Sequence, residues 1–236
     1  MRNFLKTTTI LVLTVIFGLL SLILFPFNGQ IIRLWAKTIL KVSGIRLVIS
    51  GIEKLGHKRP VICIVNHESA LDIPVVLAAL PQTFHFMAKK ELFRIPVVGW
   101  VLYFGGHIRI DRQNPQKAIE TINRKTGKIV RKGHSILVSP EGTRSLDGKI
   151  GKFKKGGFRL AEKLDVPIVP VTLMGTRYCV AKKALKILPG VVEVIIDSPV
   201  KVSEYSGLEK CIDAIRNRMI ERKSAFETQR AEKTRA

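Results

Sequence analysis

The chain has 236 residues, of which 40 are Lys or Arg and 18 are Asp or Glu, so its formal net charge at pH 7 is +22. This length suits one substantial domain with attachments and is short for two domains of ordinary size. The excess of positive charge indicates an anionic partner, which is either nucleic acid or a membrane surface. A mean hydropathy above zero in so charged a chain requires a very apolar stretch, which favours the membrane.

That apolar stretch covers residues 7–27 and carries no charge. As a helix, residues 8–25 would be about 27 Å long, which is marginal for a hydrocarbon core about 30 Å thick. Arg2 and Lys6 precede it, as they would in a signal peptide, but no small-x-small cleavage pattern follows. We therefore expect the segment to be retained.

Residues 30–42 follow, with Arg33, Lys37 and Lys41 spaced four apart among apolar residues that include Trp35. This pattern predicts a basic amphipathic helix lying in the headgroup layer, or alternatively a helix packed on its own domain. Residues 26–29 predict a turn, so residues 1–44 form a helical hairpin that anchors the chain to a membrane. Positive charge flanks the apolar run on both sides, which favours a hairpin dipping into the cytoplasmic leaflet.

From residue 45 onward, short apolar runs alternate with helical patterns, which predicts a layered α/β domain over residues 45–205 with a mostly parallel or mixed sheet. Residues 206–236 read as a basic amphipathic helix and tail, suited to anionic lipid or to solvent. The predicted strands are residues 45–50, 61–65, 84–88, 107–110, 135–138, 168–173 and 191–196, and the predicted helices are residues 73–80, 97–104, 116–132, 158–164 and 208–227.

A polar motif, Asn-His-Glu-Ser-Ala-Leu-Asp, occupies residues 66–72 between a predicted strand and a predicted helix. A turn there lets the carboxylate of Asp72 accept a hydrogen bond from one ring nitrogen of His67, which leaves the other nitrogen free to take a proton. No G-x-S-x-G element presents a nucleophilic serine, so the pair is predicted to activate a substrate hydroxyl directly. The alternative is a packed His67 beside a helix cap made by Ser69 and Asp72.

Three further segments complete a recognisable series: Gly106 to Arg112, Ser139-Pro-Glu-Gly-Thr-Arg-Ser145 and Val166-Pro-Ile-Val-Pro-Val171. Together with N-H-x-S-x-x-D they resemble the four blocks of the glycerolipid acyltransferase family, and most closely its members that acylate 1-acylglycerol-3-phosphate. Two positions depart from the family pattern, because Ser139 and Arg109 stand where these enzymes usually carry Phe.

The resemblance implies that His67 is the general base and that Asp72 orients it. It also implies that Arg112 and Arg144 bind the acceptor's phosphate and that the proline-containing fourth block binds the acyl donor or shapes the site. The acceptor-binding residues that it implies are Asn66, Arg112, Glu141, Gly142, Thr143 and Arg144.

The glycine-rich segment 149–157 contains four lysines just before a predicted helix. Its bare amides and helix N-terminus suit a phosphate, so Lys152 and Lys154 are candidate phosphate contacts, and a solvated basic loop is the alternative. Arg177 is a weaker candidate. His85 and His107 lie in strand-like runs and are expected to be packed rather than catalytic.

Cys63, Cys179 and Cys211 are odd in number and widely spaced, which indicates a reducing compartment. Neither C-x-x-C nor H-E-x-x-H occurs, so we expect no metal site.

The expected protein is thus an acyltransferase at the cell membrane, with its catalytic domain on the cytoplasmic face. It would move a fatty acyl group from acyl-CoA or acyl carrier protein, as a thioester co-substrate and with no other cofactor, to the sn-2 hydroxyl of 1-acylglycerol-3-phosphate. Its partners would be the lysophospholipid, the anionic bilayer surface and the acyl donor.

Alternative acceptors are glycerol-3-phosphate and lyso-ornithine lipid. A different class of protein also remains open, a non-catalytic basic protein of membrane surfaces or nucleic acid. Because the chain lacks interleaved aromatic and basic residues of the single-strand-binding type, we expect no nucleic-acid partner.

Overall fold

The computed structural model describes residues 2–55, 60–111, 113–180 and 186–235, and within these ranges lie eight α-helices and seven strands. The helices are α1 (Arg2–Ile23), α2 (Asn28–Ser43), α3 (Asp72–Ala79), α4 (Val98–Phe104), α5 (Pro115–Arg131), α6 (Gly156–Leu164), α7 (Thr176–Cys179) and α8 (Leu208–Arg235). The strands are β1 (Ile45–Ser50), β2 (Ile62–Val65), β3 (Phe84–Lys89), β4 (Ile108–Ile110), β5 (Ser135–Val138), β6 (Ile168–Met174) and β7 (Gly190–Ile196).

The strands form a single sheet in the order β1-β7-β6-β2-β5-β3-β4, in which only the β6–β7 pair is antiparallel. Strands β2, β5 and β6 lie at its centre and are buried along their whole length. They are continuous apolar runs, as expected for parallel strands with helices on both faces. The predicted α/β architecture with a mostly parallel, mixed sheet is therefore confirmed.

Each of the seven predicted strands is present, with ends within one residue of those predicted. The helix predicted over residues 208–227 is also present and continues to Arg235. The sequence pattern missed helix α7, which is a single turn of four residues and too short to show a helical period.

Two apolar layers enclose the sheet. On one face, α2 and α3 cover it with Leu40, Val75 and Val76 among the buried residues. On the other face, α5, α6 and α8 pack through side chains that include Phe158 and Met219. Because the amphipathic face of α8 supplies part of this second layer, the C-terminal helix belongs to the body of the domain.

Helices α1 and α2 form the predicted hairpin, with a 3₁₀ turn at Phe25–Phe27 between them. The indole N–H of Trp35 donates to the hydroxyl of Thr14 at 3.1 Å, so this tryptophan joins the two helices. Ala36 and Ile39 of α2 are buried, whereas Leu34 is exposed. The packed alternative is therefore confirmed for one face of α2.

Residues Asn3–Ile23 are long and apolar enough to cross a membrane, and they are the one such span in the described parts of the chain. Only 11% of the most apolar window in this helix is buried against the rest of the protein. An apolar surface that the fold leaves uncovered indicates association with a membrane.

The carboxyl ends of β2, β5 and β6 meet at one edge of the sheet because these strands are neighbours and run parallel. The loop that follows β2 contains the motif of residues 66–72, and the loop that follows β5 contains residues 139–155. Beyond β6, Gly175 and helix α7 complete the same edge. This is where open α/β sheets bind ligands.

Candidate active site

His67 and Asp72 form the predicted pair. Nδ1 of His67 lies 2.6 Å from Oδ2 of Asp72, which is the first residue of α3. The carboxylate side chain is 4% exposed and the imidazole 25% exposed. Since Nδ1 donates to the carboxylate, Nε2 is the nitrogen with a free lone pair, and within the described residues it has no hydrogen-bond partner.

The carboxylate of Asp72 is held at both oxygens. Oδ2 also accepts the backbone N–H groups of Glu68 and Ser69 at 2.8 and 2.9 Å, and Oδ1 accepts the hydroxyl of Thr176 at 2.7 Å. Only one half of the predicted capping pair of Ser69 and Asp72 forms, because the hydroxyl of Ser69 accepts the N–H of Leu71 at 3.2 Å and donates to the carbonyl of Val180 at 2.7 Å. The helix begins at Asp72, with Leu71 as its N-cap and no side-chain capping bond.

Glu141 bonds the two motif loops together. Its Oε1 accepts the backbone N–H of His67 at 3.0 Å, and its Oε2 accepts that of Gly151 at 3.2 Å. The N–H of Ser145 donates to the carbonyl of His67 at 2.8 Å. Burial raises the pKa of Glu141, although the two amide bonds oppose that rise. The carboxylate of Glu141 thus holds the backbone of His67 in place.

The loop after β5, which bonds to His67 through Glu141 and Ser145, also carries basic residues. Arg144 directly precedes Ser145, and Lys152 and Lys154 are exposed. A Cβ placed on Gly142, whose φ is +74°, would lie 2.8 Å from the ammonium of Lys154, so the lysine stands directly over this glycine. The adjoining Thr143 is exposed, and Arg112 lies outside the described residues.

Arg177, which lies in α7, contacts the same loop after β5. Its guanidinium packs onto Gly148 and donates to the carbonyl of Asp147. Three cations named from the sequence, Arg144, Lys152 and Lys154, therefore share one loop with Glu141, and Arg177 reaches it from α7.

Asn66 is buried, with 2% of its surface exposed. Its Nδ2 donates to the carbonyl of Leu173 at 2.9 Å, and its Oδ1 accepts the N–H of Leu173 at 2.7 Å. The amide nitrogen and the amide oxygen of Asn66 thus both bond to the backbone of β6. Asn66 therefore aligns the motif loop on that strand. Its contact with substrate stays a prediction.

Three polar side chains that the sequence patterns did not single out stand directly behind the pair. Glu68 and Lys223 form an ion pair, and Thr176 bonds to Asp72 and lies 3.2 Å from Glu68 Oε1. Glu68 lies inside the recognised motif at its variable position. Lys223 gave no local signal, because it lies on the C-terminal helix, 155 residues from its partner.

His85 and His107 are half-buried, and both line the cavity described below. Nε2 of His85 lies 2.9 Å from Nδ1 of His134, and Nδ1 of His107 accepts the N–H of Phe86 at 3.3 Å. Burial, with a smaller contribution from His85, lowers the pKa of His107 to about 3, so this ring is neutral.

A cavity of about 900 Å³ lies between the helical hairpin and the β3–α4 side of the domain. Ile73 and Leu77 of α3 line it, and α3 is the helix that begins at Asp72. The hairpin contributes Gly18, Ile32 and Trp35 to the wall. The cavity thus adjoins both α3 and the helical hairpin.

Within the described residues, no group of three or more His, Cys, Asp or Glu side chains is arranged to hold a metal ion. Cys63, Cys179 and Cys211 are free and buried. Burial raises the pKa of each of these thiols, so they are poor nucleophiles.

Residues 46–174, which hold all of the motifs described above, match the family model described as Acyltransferase. The chain belongs to the acyltransferase family. It is 38% identical over 197 residues to a chloroplastic 1-acyl-sn-glycerol-3-phosphate acyltransferase of Brassica napus, covering 83% of this chain and 56% of that protein. It is 33% identical over 204 residues to the enzyme of that name from Limnanthes douglasii, covering 84% and 72%.

The fold of this family member also has a solved counterpart, the crystal structure of the 1-acyl-sn-glycerophosphate acyltransferase PlsC from Thermotoga maritima. The two share 27% identity and superpose with a TM-score of 0.84, over 96% of this chain and 98% of the other. The chain spans 56% and 57% of the length of the chloroplastic relatives from Brassica napus and Arabidopsis thaliana.

Proposed function

We propose that this protein is a membrane-associated acyltransferase that moves a fatty acyl group from a thioester to the sn-2 hydroxyl of 1-acylglycerol-3-phosphate, forming phosphatidic acid. The observation that carries the proposal is the pair of His67 and Asp72, fixed 2.6 Å apart beside a basic loop at the ligand-binding edge of the sheet. The names of the relatives agree with this acceptor.

In the proposed reaction, Nε2 of His67 takes the proton of the acceptor hydroxyl while its oxygen attacks the thioester carbonyl. The tetrahedral intermediate collapses, the C–S bond breaks, and the thiolate leaves with the proton returned by the imidazolium. Asp72 stabilises that imidazolium and holds its tautomer. A general base so placed contributes roughly 10²- to 10⁴-fold to the rate.

The acceptor's phosphate is assigned to the loop after β5. Arg144, Lys152 and Lys154 lie there with Gly142, whose lack of a side chain leaves room for Lys154. Arg112 is a further proposed phosphate ligand from the sequence pattern. Arginine suits this role because its planar guanidinium binds phosphate oxygens in pairs.

Both substrates are amphiphiles, and the uncovered apolar surface of α1 supports their collection at a bilayer. The cavity beside the hairpin has apolar walls and a volume in the range of small-molecule sites, which suits an aliphatic chain. Holding both substrates at one interface makes their encounter effectively intramolecular, which contributes to the rate in addition to the base. Positive charge on both flanks of α1 supports an anionic, cytoplasmic leaflet as the binding surface.

The proposal is tested by acyl transfer in purified membranes, with products identified by mass. Wild type and His67→Ala receive lysophosphatidate, glycerol-3-phosphate or lyso-ornithine lipid, each with acyl-CoA or acyl carrier protein as donor. We expect phosphatidate from wild type and at least a 10²-fold lower kcat from His67→Ala, with membrane binding unchanged. Arg144→Ala should mainly raise the KM for lysophosphatidate, and Lys201→Ala, which removes an exposed cation paired with Asp165, is the matched control.

Each outcome has a distinct meaning. Product from another acceptor alone would keep the base and replace the proposed acceptor. His67→Ala retaining more than a few per cent of the wild-type rate would refute the assignment of the base. No product under any pairing would overturn the proposed reaction and favour a non-catalytic protein of membrane surfaces.

A further inference from the structure

A chain of buried polar groups connects the C-terminal helix to the catalytic pair. Nζ of Lys223 on α8 pairs with Oε2 of Glu68, and Oε1 of Glu68 lies 3.2 Å from the hydroxyl of Thr176. That hydroxyl donates to Oδ1 of Asp72 at 2.7 Å, and the other oxygen of Asp72 binds His67. Three side chains, those of Glu68, Thr176 and Asp72, thus lie between the ammonium on α8 and the imidazole of His67.

The ion pair is buried at both ends, with Lys223 6% exposed and Glu68 2% exposed. Removing two charges from water costs several kcal/mol each, and well-packed apolar side chains in the same volume usually give equal or greater stability. Stability alone therefore gives little reason for a lysine and a glutamate here. The link from these two side chains to the carboxylate of Asp72 offers a functional reason for their presence.

Glu68 is tied to Asp72 at two levels. Its backbone N–H donates to Oδ2 of Asp72 at 2.8 Å, while its Oε1 lies 3.2 Å from the hydroxyl oxygen of Thr176, whose single hydrogen is donated to Oδ1 of Asp72. Because Lys223 holds the outer oxygen of Glu68, the inner oxygen is directed toward Thr176. The carboxylate of Asp72 consequently cannot turn about its own bond without breaking contacts on both sides.

Helix α8 is held against these polar groups by further contacts that lie C-terminal to Lys223. The hydroxyl of Tyr178 in α7 bonds to Glu227, and the guanidinium of Arg230 lies 3.8 Å from the centre of the Tyr178 ring. A Cβ placed on Gly175 would lie 3.4 Å from the ring of Phe226. Residues in the last third of α8 therefore pack against α7, the one-turn helix that begins with Thr176.

We propose that Glu68, Thr176 and Lys223 are positioning residues for the pair of His67 and Asp72, and that helix α8 is in this way part of the active site. They act through Asp72, by holding its carboxylate in the plane in which it binds Nδ1 while the imidazole takes and returns a proton. The role in turnover rests on the proposed acyl transfer. An error near 1 Å in such an arrangement lowers rates by about 10²-fold.

The test uses the full-length protein in membranes and begins with Thr176→Val, which removes the hydroxyl and keeps the shape. We expect kcat to fall at least 10-fold with the KM of both substrates unchanged, and Thr176→Ser, which restores a hydroxyl, to recover most of the rate. Lys223→Met should lower kcat to a similar degree. If that variant fails to fold, Lys223→Met combined with Glu68→Gln removes both buried charges and should still show the loss in kcat.

Arg222→Met is the matched control, because Arg222 lies one residue away on α8 and makes an ion pair with the buried Asp197. We expect it to lower the Tm while leaving kcat and KM near wild type. If Thr176→Val or Lys223→Met lowers the Tm but keeps the wild-type kcat, these buried polar groups contribute to stability only. That result would overturn the proposal.

A second measurement does not depend on turnover. Nitrogen-15 spectra of the His67 ring report which nitrogen carries the proton. Wild type should show the single tautomer with Nδ1 protonated, and Thr176→Val should show a mixture of the two. If wild type transfers no acyl group, the proposed reaction fails by itself, and these spectra still decide the positioning role: identical spectra in both proteins would refute it.

Discussion

At the scale of single residues, the site depends on one carboxylate with several tasks. Asp72 begins a helix, accepts two backbone amides, binds a hydroxyl and orients the imidazole of His67. Burial raises the pKa of the neighbouring Glu68, and Lys223 opposes that rise. The ammonium of Lys223, on the far side of Glu68 from Asp72, therefore offsets part of the cost of burying a second carboxylate beside Asp72.

His107 provides a prediction about pH at this scale. Its pKa is lowered to about 3 in the folded protein and is about 6.5 in an unfolded chain, so between these values the unfolded state binds more protons. The free energy of unfolding should therefore fall as the pH falls from 6.5, by up to about 1.4 kcal/mol per pH unit from this group.

The measurement is denaturant unfolding in detergent at pH 7 and pH 5 for wild type and His107→Gln. The amide oxygen of glutamine can still accept the N–H of Phe86, so the variant removes the titration and retains an acceptor. We expect a smaller loss of stability at pH 5 in the variant. Equal losses in the two proteins would contradict the prediction.

At the scale of elements, β6 and the short α7 bring together parts of the chain that are far apart. The fourth sequence block leads into β6 and forms its first four residues, and the far end of this strand continues through Gly175 into Thr176. Within this strand, Pro170 lies one residue before the ladder between β6 and β7 begins, and its carbonyl accepts the N–H of Asp197. The role of this block, in binding the acyl donor or in shaping the site, stays a prediction.

Gly175 supplies the prediction for this scale. Its φ is +94°, and a Cβ there would lie 2.5 Å from the carbonyl oxygen of Val191, so Gly175→Ala must move the backbone. We expect a loss of roughly 2 to 4 kcal/mol in the free energy of unfolding, since a left-handed conformation alone costs an L-residue about 1 to 2 kcal/mol. Activity should fall as well, because Thr176 is displaced.

Gly133→Ala is the matched control for that measurement. Gly133 has a φ of +78° with no heavy atom within 4 Å of the added Cβ, so only the conformational cost applies. Its loss of stability should be about 1 kcal/mol, with unchanged kcat. Similar losses at the two glycines would refute the close approach to Val191.

At the scale of the whole molecule, a net charge of +22 and an uncovered apolar helix act on the same partner. The charge attracts the protein to anionic lipid over a distance set by salt, whereas buried apolar surface holds it independently of salt. The two contributions are therefore separable by ionic strength.

The corresponding prediction is that wild type remains on vesicles of phosphatidylglycerol and phosphatidylcholine in 1 M NaCl, where the screening length is about 3 Å. Leu11 and Ile16 are 62% and 47% exposed on α1. The double variant Leu11→Asp with Ile16→Asp should bind in low salt and be released in 1 M NaCl, because buried carboxylates cost about 3 kcal/mol each. Sedimentation of the vesicles measures this, and release of wild type by salt would show that binding is only electrostatic.

The strands, most helices and the hairpin were predictable from the sequence. These elements come from patterns within a few residues, namely apolar runs, helical spacing and turn residues, and such patterns are local by nature. The pair of His67 and Asp72 was predictable for the same reason, because only a turn of five positions separates them. The buried role of Asn66 was not, since its partner Leu173 lies 107 positions away.

Local sequence patterns were thus sufficient to predict the mostly parallel α/β sheet, the apolar N-terminal helix and the contact of His67 with Asp72 at the end of a strand. Tertiary structure alone decided that Glu141 bonds the two motif loops together, that Thr176 reaches Asp72 from 104 positions away, and that Lys223 stands behind Glu68. The physical reason is that hydrogen bonds and ion pairs form between neighbours in space. When the packing of a whole helix against the sheet brings two distant residues together, neither residue belongs to a periodic pattern that a single sequence would reveal.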